Sequence, residues 1–412
     1  MKIKSVKGTN DYLPEQARIR DYLQNKILQV YTENGFEHII TPIIEDSENL
    51  DKSEGGDNLN LIFKIMKRGE KLEKAVAEGK LDEISDMGLR YDLTLPLSRY
   101  YANNRNELIS PMKCIQIDRV YRAERPQKGR LREFIQCDID ILGTSSITAE
   151  IELIATTTKA LLAIGMDEFT VKINDRRILR AVLLHMGFEE KDLDSVCITF
   201  DKMDKIGADG VKAELLEKEY DSAIVESFYE FLQKGDFSLD TIESLIGTNE
   251  AIDNVKKIIT AATSMADGKY DIRYDISLVR GQGYYTGTVF EVESNKFKGA
   301  IAGGGRYDNL IGKFLNESVP AVGFSIGFER IYAILSEQGI KNEESKKRIA
   351  VLYEEDEIAA AYAKAEELRK EYIVALYVKP KKMGKFLNRL EEKGFAGFVN
   401  FNQPDEINFF GA

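Results

Sequence analysis

The sequence predicts an α+β fold: a mostly antiparallel sheet flanked by helices, with a helical insertion, then a small α/β domain. Five strand-like segments carry the first part of this prediction: Cys114–Tyr121, Phe134–Leu142, Tyr274–Leu278, Thr288–Val292 and Val322–Ile326. Long intervals and hairpin-like turns separate them, whereas a parallel sheet would show regularly alternating strands and helices. Such alternation begins only after residue 348, which indicates a second domain of different architecture.

The first two elements precede this sheet. Residues 16–34 place apolar side chains at helical spacing, from Ile19 to Val30, and Gly35 can end the helix. Residues 39–44 are expected to be extended. Because Pro42 has no N–H group to donate, this strand is expected at a sheet edge or an interface.

The remaining chain is assigned by its periodicity. The first domain is expected over residues 1–335, interrupted at 170–262 by a mostly helical insertion in which acidic and basic residues alternate. The polar stretch 336–347 is a linker candidate. In the second domain, residues 348–412, three strands alternate with two helices, so parallel strands with right-handed crossovers are expected.

Composition limits the function classes. The chain has 412 residues, too many for one ordinary core, and a net charge of −12. It lacks an apolar run of about 18 residues and an N-terminal signal core, so a cytoplasmic location without membrane contact is expected. Three scattered cysteines and two distant histidines match no metal or redox spacing, so no dedicated metal site is expected. Basic segments at 119–132 and 379–389 can still bind a polyanion.

The segment 121–143 carries the most chemical information. Cations crowd a loop that contains Pro126 and Gly129. Beyond the loop, Gln136, Asp138 and Asp140 alternate and therefore share one face of a strand. Adjacent amide and carboxylate groups can bind a hydrogen-bonding or cationic ligand, while arginines bind phosphates. A surface hairpin with ordinary salt bridges explains the spacing about equally well.

Three glycine-containing segments follow: 278–291 with Arg280, Tyr284 and Tyr285; 302–310 with Tyr307; and 323–330, ending in Arg330. Glycine lets a backbone approach a ligand closely. The first segment is not a dinucleotide fingerprint, because its third glycine is misplaced and no βαβ unit follows. Taken singly, each segment is explained as a turn or a helix cap.

In this order, the segments resemble the histidyl-tRNA synthetase family over nearly the whole chain. Residues 122–136 resemble motif 2 of the class II synthetases, Pro42 the motif 1 proline and residues 323–330 motif 3. Residues 280–285 and 304–308 resemble the two histidine-binding signatures that are peculiar to this family. The resemblance implies ATP-dependent ligation of L-histidine to tRNA(His) through a histidyl-adenylate, with Mg²⁺ held mainly by ATP, in a homodimer.

The resemblance also implies residue roles. The ATP-binding positions are Arg122, Glu124, Arg130, Phe134 and Arg330. Arg280 and Arg122 are the catalytic cations, because the carboxylate nucleophile is already ionised and needs no base. Histidine is bound by Asp92, Thr94, Gln136, Asp140, Arg280, Tyr284, Tyr285 and Tyr307, with Asp140 and Tyr285 reading the imidazole nitrogens. The tRNA-binding positions are Gln127, Lys128, Arg130, Lys381, Lys382 and Lys385.

The chain departs from the family pattern in places. Asp92 and Asp140 stand where glutamate is frequent, Gln282 and Gly283 replace a frequent Leu-Asp pair, and the second domain is short. Two alternatives share the fold: a non-catalytic regulatory subunit of ATP phosphoribosyltransferase and a tRNA-binding pseudoenzyme. The presence of Arg122, Arg280 and Arg330 favours the enzyme over the regulatory subunit, and no kinase segment accompanies the pseudoenzyme alternative here.

Overall fold

The protein is described by a computed structural model that covers residues 3–52, 60–126, 130–278, 284–297, 299–340, 346–401 and 406–411. The chain divides into two compact units. The first comprises Met1–Asp11 and Arg20–Gly339, and the second comprises Tyr12–Ile19 and Ile340–Ala412. The large sheet, its helices and the small C-terminal domain confirm the predicted fold class.

The described strands number fifteen. They are β1 (Glu37–His38), β2 (Ile44–Asp46), β3 (Lys64–Met66), β4 (Ser85–Leu89), β5 (Met112–Tyr121), β6 (Glu133–Leu142), β7 (Phe169–Asp175), β8 (Asp271–Tyr274), β9 (Thr288–Ser294), β10 (Ala300–Arg306), β11 (Ala321–Gly327), β12 (Arg348–Tyr353), β13 (Ile373–Val378), β14 (Gly397–Asn400) and β15 (Asn408–Phe409).

The described α-helices are α1 (Pro14–Glu33), α2 (Ser47–Leu50), α3 (Glu70–Ala77), α4 (Thr94–Asn104), α5 (Thr148–Ala163), α6 (Arg176–His185), α7 (Leu193–Phe200), α8 (Met203–Glu217), α9 (Ser222–Lys234), α10 (Leu239–Ile246), α11 (Glu250–Ala266), α12 (Gly312–Leu315), α13 (Phe328–Glu337), α14 (Ile358–Leu368) and α15 (Met383–Glu392). Short 3₁₀ helices lie at Leu81–Glu83, Arg105–Glu107, Glu190–Asp192 and Glu355–Glu357.

The first unit is built on an eight-stranded sheet with the order β1-β5-β6-β11-β10-β9-β7-β8. Only the two outer pairs, β1 with β5 and β7 with β8, are parallel. The long β5–β6 hairpin, paired from Met112 to Tyr121, forms its centre together with β11 and β10. A separate antiparallel sheet has the order β2-β4-β3. The predicted antiparallel sheet is therefore present.

Two predicted strands differ from the observed ones. Strand β8 ends at Tyr274 instead of running to Leu278, because the Asp275 carboxylate accepts hydrogen bonds from the Ser277 N–H (3.0 Å) and hydroxyl (2.6 Å). Such a side-chain bond favours a turn over a ladder. The extended stretch around Pro42 lies between β1 and β2 and belongs to neither strand. The Thr41 carbonyl instead accepts a 2.7 Å hydrogen bond from Arg90.

A run of helices from α6 to α11 follows strand β7. The helical part of the predicted insertion therefore begins at Arg176 and not at residue 170, which lies within β7. Four of these helices begin at residues whose side chains accept hydrogen bonds from the first turn, as expected for N-caps. These caps are Asp175, Asp221, Ser238 and Asn249.

The second unit contains a four-stranded sheet with the order β13-β12-β14-β15. Its three longer strands are parallel, as predicted, and β15 is antiparallel. Successive residues of β12 enter different cores: Ile349 and Val351 pack with Ala361 of α14, whereas Ala350 and Leu352 pack with Leu390 of α15. Both faces of this sheet are therefore covered by a helix.

Candidate active site

A cavity of about 220 Å³ opens in the first unit, where β6, β10 and β11 run side by side. Polar and aromatic side chains from distant parts of the sequence line it, and ten of the predicted site residues are among them. These ten are Asp92, Thr94, Arg122, Phe134, Gln136, Asp140, Tyr284, Tyr285, Tyr307 and Arg330. The structure thus brings most of the predicted histidine- and ATP-binding residues into one site.

Other predicted site residues lie elsewhere. Glu124 lies beside the cavity and pairs with Arg130 at 3.5 Å and with Arg122 at 4.0 Å. Lys381, Lys382 and Lys385 are exposed residues of the second unit. The predictions for Arg280, Gln127, Lys128, Gln282 and Gly283 fall outside the described residues.

The floor of the cavity is formed by glycines of β10 and β11. A Cβ atom on Gly304 would lie 1.9 Å from the carbonyl oxygen of Gly323, and one on Gly323 would lie 2.0 Å from Oδ1 of Asp140. These contacts are too short for any side chain. Glycine is therefore required here by close backbone and carboxylate approach.

One end of the cavity is acidic and buried. The Tyr307 hydroxyl donates a 2.6 Å hydrogen bond to Oδ1 of Asp140. Burial, together with the charge of Asp92 and against the Tyr307 hydrogen bond, raises the pKa of the Asp140 carboxyl to about 7. A buried carboxylate is costly in its charged form, so the site favours a ligand that supplies positive charge or hydrogen-bond donors.

Asp92 lies at the start of α4 in the same acidic end. Its Oδ1 accepts a 3.1 Å hydrogen bond from the Leu95 N–H group. Burial raises the pKa of Asp92, while the hydrogen bond from Leu95 and the charge of Arg122 act in the opposite direction. Asp92 is therefore partly used as a helix cap.

Asp138 is a third buried carboxyl of the cavity, and the sequence interpretation gave it no role of its own. The Gln136 amide lies 3.2 Å from the Ser325 hydroxyl oxygen and 3.5 Å from Oδ2 of Asp138. Strand alternation had indicated that Asp138 shares a face with Gln136 and Asp140. Its burial depends on the pairing of β6 with β5 and β11, which no local pattern reveals.

The other end of the cavity is cationic and aromatic. The Arg122 guanidinium lies 5.1 Å from the centre of the Phe134 ring and donates a 3.0 Å hydrogen bond to the Tyr91 carbonyl. Arg330, on the first turn of α13, donates to the Ala300 carbonyl. Two guanidinium groups beside a partly buried aromatic ring that lines the cavity can hold a phosphorylated aromatic ligand.

A buried ion pair holds the start of α13. Arg20 of α1 makes two 2.7 Å hydrogen bonds to the carboxylate of Glu329, and the Ile135 N–H group lies 3.3 Å from the same carboxylate. Arg20 also lies over the Phe328 ring, 4.9 Å from its centre. Because Glu329 precedes Arg330, this pair helps to fix Arg330 at the cavity.

Two further supports of the site were missed at the sequence level. Arg90, almost fully buried, pairs with Asp118 at 2.6 Å. The Arg132 N–H group donates a 2.7 Å bond to the carbonyl of Gly8, whose φ is +90°. These contacts join segments far apart in the chain. The sequence near these residues contains one hint, Gly8, and a glycine alone does not predict which residue its carbonyl will contact.

The described residues contain no group of three or more His, Cys, Asp or Glu side chains that could hold a metal ion. No helix in them combines the length and apolar composition needed to cross a bilayer. Cys114, Cys137 and Cys197 are all buried free thiols.

Comparison with known proteins gives concordant matches. A family model described as "Histidyl-tRNA synthetase" matches residues 8–331. A histidine--tRNA ligase of Leifsonia xyli subsp. xyli is 42% identical over 81% of this chain and 80% of its own length. One of Cytophaga hutchinsonii is 36% identical over 98% of this chain and 92% of its own length. The crystal structure of histidyl-tRNA synthetase from Nostoc sp. PCC 7120 has a TM-score of 0.79 at 28% identity, covering 97% of this chain and 91% of that chain.

Proposed function

The chain belongs to the histidyl-tRNA synthetase family, and we propose that it ligates L-histidine to tRNA(His) through a histidyl-adenylate formed from ATP. The observation that carries this proposal is the division of one cavity into a buried acidic end and a cationic, aromatic end. Histidine presents an ammonium group and an imidazole to the first end. ATP presents phosphates and an adenine ring to the second.

The imidazole is read by hydrogen bonds at the acidic end. Asp140, held by Tyr307, accepts from one ring N–H group, and the Tyr285 hydroxyl donates to the other nitrogen. Tyr284 and Tyr307 close the pocket around the ring. An apolar side chain would leave these buried polar groups unpaired, so such a site can reject apolar amino acids on the order of 10⁴-fold.

The α-amino group is bound beside the start of α4. Asp92 and Thr94 line the cavity there, and Gln136 reaches it from β6. Arg280 is assigned to the histidine carboxylate and the α-phosphate. This placement rests on family resemblance, because Arg280 lies outside the described residues.

The chemical step needs cations more than proton transfer. The histidine carboxylate attacks the α-phosphorus, a phosphorus–oxygen bond forms, and pyrophosphate leaves with the electron pair of the broken bond. Arg122, Arg330 and Arg280 neutralise the anions that this step brings together, and Phe134 stacks with adenine. Mg²⁺ enters as part of the ATP substrate and adds positive charge at the phosphates.

The tRNA would meet two basic surfaces. Arg130 pairs with Glu124, which lies 4.0 Å from the cavity residue Arg122, and Gln127 and Lys128 precede Arg130 in the sequence. In the second unit, Lys381, Lys382 and Lys385 are exposed and can contact phosphates. A homodimer is supported by the exposure of Ile40 (77%) and Ile44 (51%) on either side of Pro42. The enzyme is assigned to the cytoplasm.

Histidine-dependent exchange of pyrophosphate into ATP tests the proposal directly. We expect exchange with histidine and none with the other standard amino acids. Arg280→Ala should abolish exchange while calorimetric binding of ATP and the melting temperature are retained. A folded wild-type chain that binds histidine without supporting exchange would contradict the proposal and favour a non-catalytic regulatory subunit.

A further inference from the structure

Two buried oxygen atoms of the cavity have no hydrogen-bond partner within the described residues. They are Oε1 of Gln136 and Oδ1 of Asp138, and both residues line the cavity. Buried polar atoms in folded proteins are nearly always paired, because an unpaired one loses its interaction with water. Both atoms are acceptors when Asp138 is ionised, so a matching ligand must supply hydrogen-bond donors.

Within the described residues, the polar side chains opposite Asp138 on the flanking strands do not donate to these two atoms. Gln116 lies opposite Asp138 on β5, but its amide nitrogen donates to the Leu93 carbonyl and its oxygen accepts from Thr41, both at 3.0 Å. Ser325 lies opposite Asp138 on β11, and its single hydroxyl proton is used toward the Asp138 carboxyl. The nearest polar neighbours on both flanking strands are therefore already committed.

The other carboxylate assigned to the amino group is also partly committed. Oδ1 of Asp92 accepts the N–H group of Leu95 at the start of α4. It therefore serves as a helix cap as well as a cavity residue. Asp138, by contrast, keeps one oxygen unpaired, and its exposed fraction is only 4%.

We propose that Asp138 is a substrate-binding residue that accepts a hydrogen bond from the α-ammonium group of histidine, together with Oε1 of Gln136. The inference rests on the proposed function and adds a carboxylate to that site. An ammonium group offers three donors and a positive charge, which suits two buried acceptors of which one is a carboxylate. Asp140, two residues along the same strand face, remains available for the imidazole at the other end of the ligand.

The electrostatics of the empty cavity agree with this assignment. Burial raises the pKa of the Asp138 carboxyl well above its ordinary value, and the nearby Asp140 raises it further. The Ser325 hydrogen bond opposes the rise, Asp92 adds to it, and Arg122 opposes it. A cationic ligand group would favour ionisation of Asp138 and so would be bound more tightly than a neutral one.

The test compares two probes that differ at the amino end. Histidinol carries the amine, an alcohol and the imidazole, and 3-(imidazol-4-yl)propan-1-ol carries the alcohol and the imidazole without the amine. Their dissociation constants are measured by calorimetry on the full chain, for the wild type, Asp138→Asn and Asp86→Asn. Asp86 is the matched control, because its Oδ1 is also buried and unpaired within the described residues but Asp86 does not line the cavity.

We expect Asp138→Asn to weaken histidinol binding by about 10- to 100-fold, the range for losing a hydrogen bond to a charged group. It should leave the affinity for imidazolylpropanol within about twofold of wild type, which also reports that the pocket is intact. Asp86→Asn should change neither affinity. The assignment of Asp138 is wrong if both probes weaken equally or if histidinol binding is unchanged. A wild-type chain that binds no histidine overturns the proposed function as well.

Discussion

Protonation of Asp140 should control histidine affinity across the neutral pH range. Burial holds the pKa of this carboxyl at about 7. Its ionised form is taken as the binding-competent one, because a carboxylate accepts the imidazole N–H proposed above more strongly than a carboxylic acid does. About one tenth of Asp140 is ionised at pH 6 and about nine tenths at pH 8. Because the apparent dissociation constant scales inversely with the competent fraction, affinity should fall about tenfold from pH 8 to pH 6.

Histidine itself titrates over the same range, so the two contributions must be separated. An ordinary imidazole pKa near 6.5 removes about a further fourfold of neutral ligand between pH 8 and pH 6. Asp140→Asn should bind histidine more weakly at every pH and lose the tenfold part of the dependence. The parts due to histidine itself and to Asp92 and Asp138, whose pKa values are also raised, should remain. The tenfold part that disappears in the variant is the contribution of Asp140.

A second variant tests the direction of the effect. The Tyr307 hydrogen bond lowers the pKa of Asp140, so Tyr307→Phe should raise it and move the midpoint of the pH dependence to higher pH. Calorimetric titration of the full chain with histidine from pH 6 to pH 8.5 measures both variants. Equal pH dependence in wild type and Asp140→Asn, or a midpoint that moves down in Tyr307→Phe, would refute the reasoning.

Three other perturbations have defined outcomes. Gly323→Ala places a Cβ atom 2.0 Å from Oδ1 of Asp140, so histidine affinity measured by calorimetry should fall more than about tenfold. Gly384→Ala is the control, because no atom lies within 4 Å of the added Cβ, and its histidine affinity should equal that of the wild type. Arg20→Met leaves Glu329 without its ion-pair partner and should lower the free energy of unfolding in urea by about 3–5 kcal/mol. Arg369→Met, at an exposed pair, should leave the free energy of unfolding nearly unchanged. The third perturbation replaces Lys381, Lys382 and Lys385 by glutamine. It should reduce the slope of the logarithm of the tRNA binding constant against the logarithm of salt concentration by about 2. An unchanged slope would show that these lysines do not contact the tRNA.

The fold was predictable where local pattern and tertiary structure agree. The alternation of strands and helices after residue 348 corresponds closely to β12, β13 and β14 with their two helices, because alternate residues of each strand pack into the two cores. The prediction failed at residues 275–278, where apolar Ile276 and Leu278 suggested a strand. There the Asp275 side chain forms a local turn, and this outweighs strand propensity.

The candidate site was predictable only in part, for a related reason. Residues that project from a short motif, such as Gln136 and Asp140, share a strand face that the sequence reveals. Residues that act through partners far away in the sequence do not form such a local pattern. Arg20 and Glu329 are 309 positions apart, and the burial of Asp138 depends on strands β5 and β11. No spacing rule connects such positions.

The acidic end of the cavity is arranged for binding and not for the stability of the empty protein. An ordinary aspartate has a pKa near 3.9 when unfolded, whereas that of buried Asp140 is about 7. Between these values the folded state holds the extra proton, so the stability contributed by Asp140 is present below about pH 4 and is lost as pH rises toward 7. At neutral pH, Asp140 therefore weakens the empty fold, and Asp92 and Asp138, whose pKa values are also raised, act in the same direction. A ligand that supplies an ammonium group and an imidazole N–H relieves this cost, and one lacking either leaves part of it in place. Selectivity for histidine then has two sources: the hydrogen bonds that the ligand makes, and the relief of the cost of keeping buried carboxylates ionised without a partner.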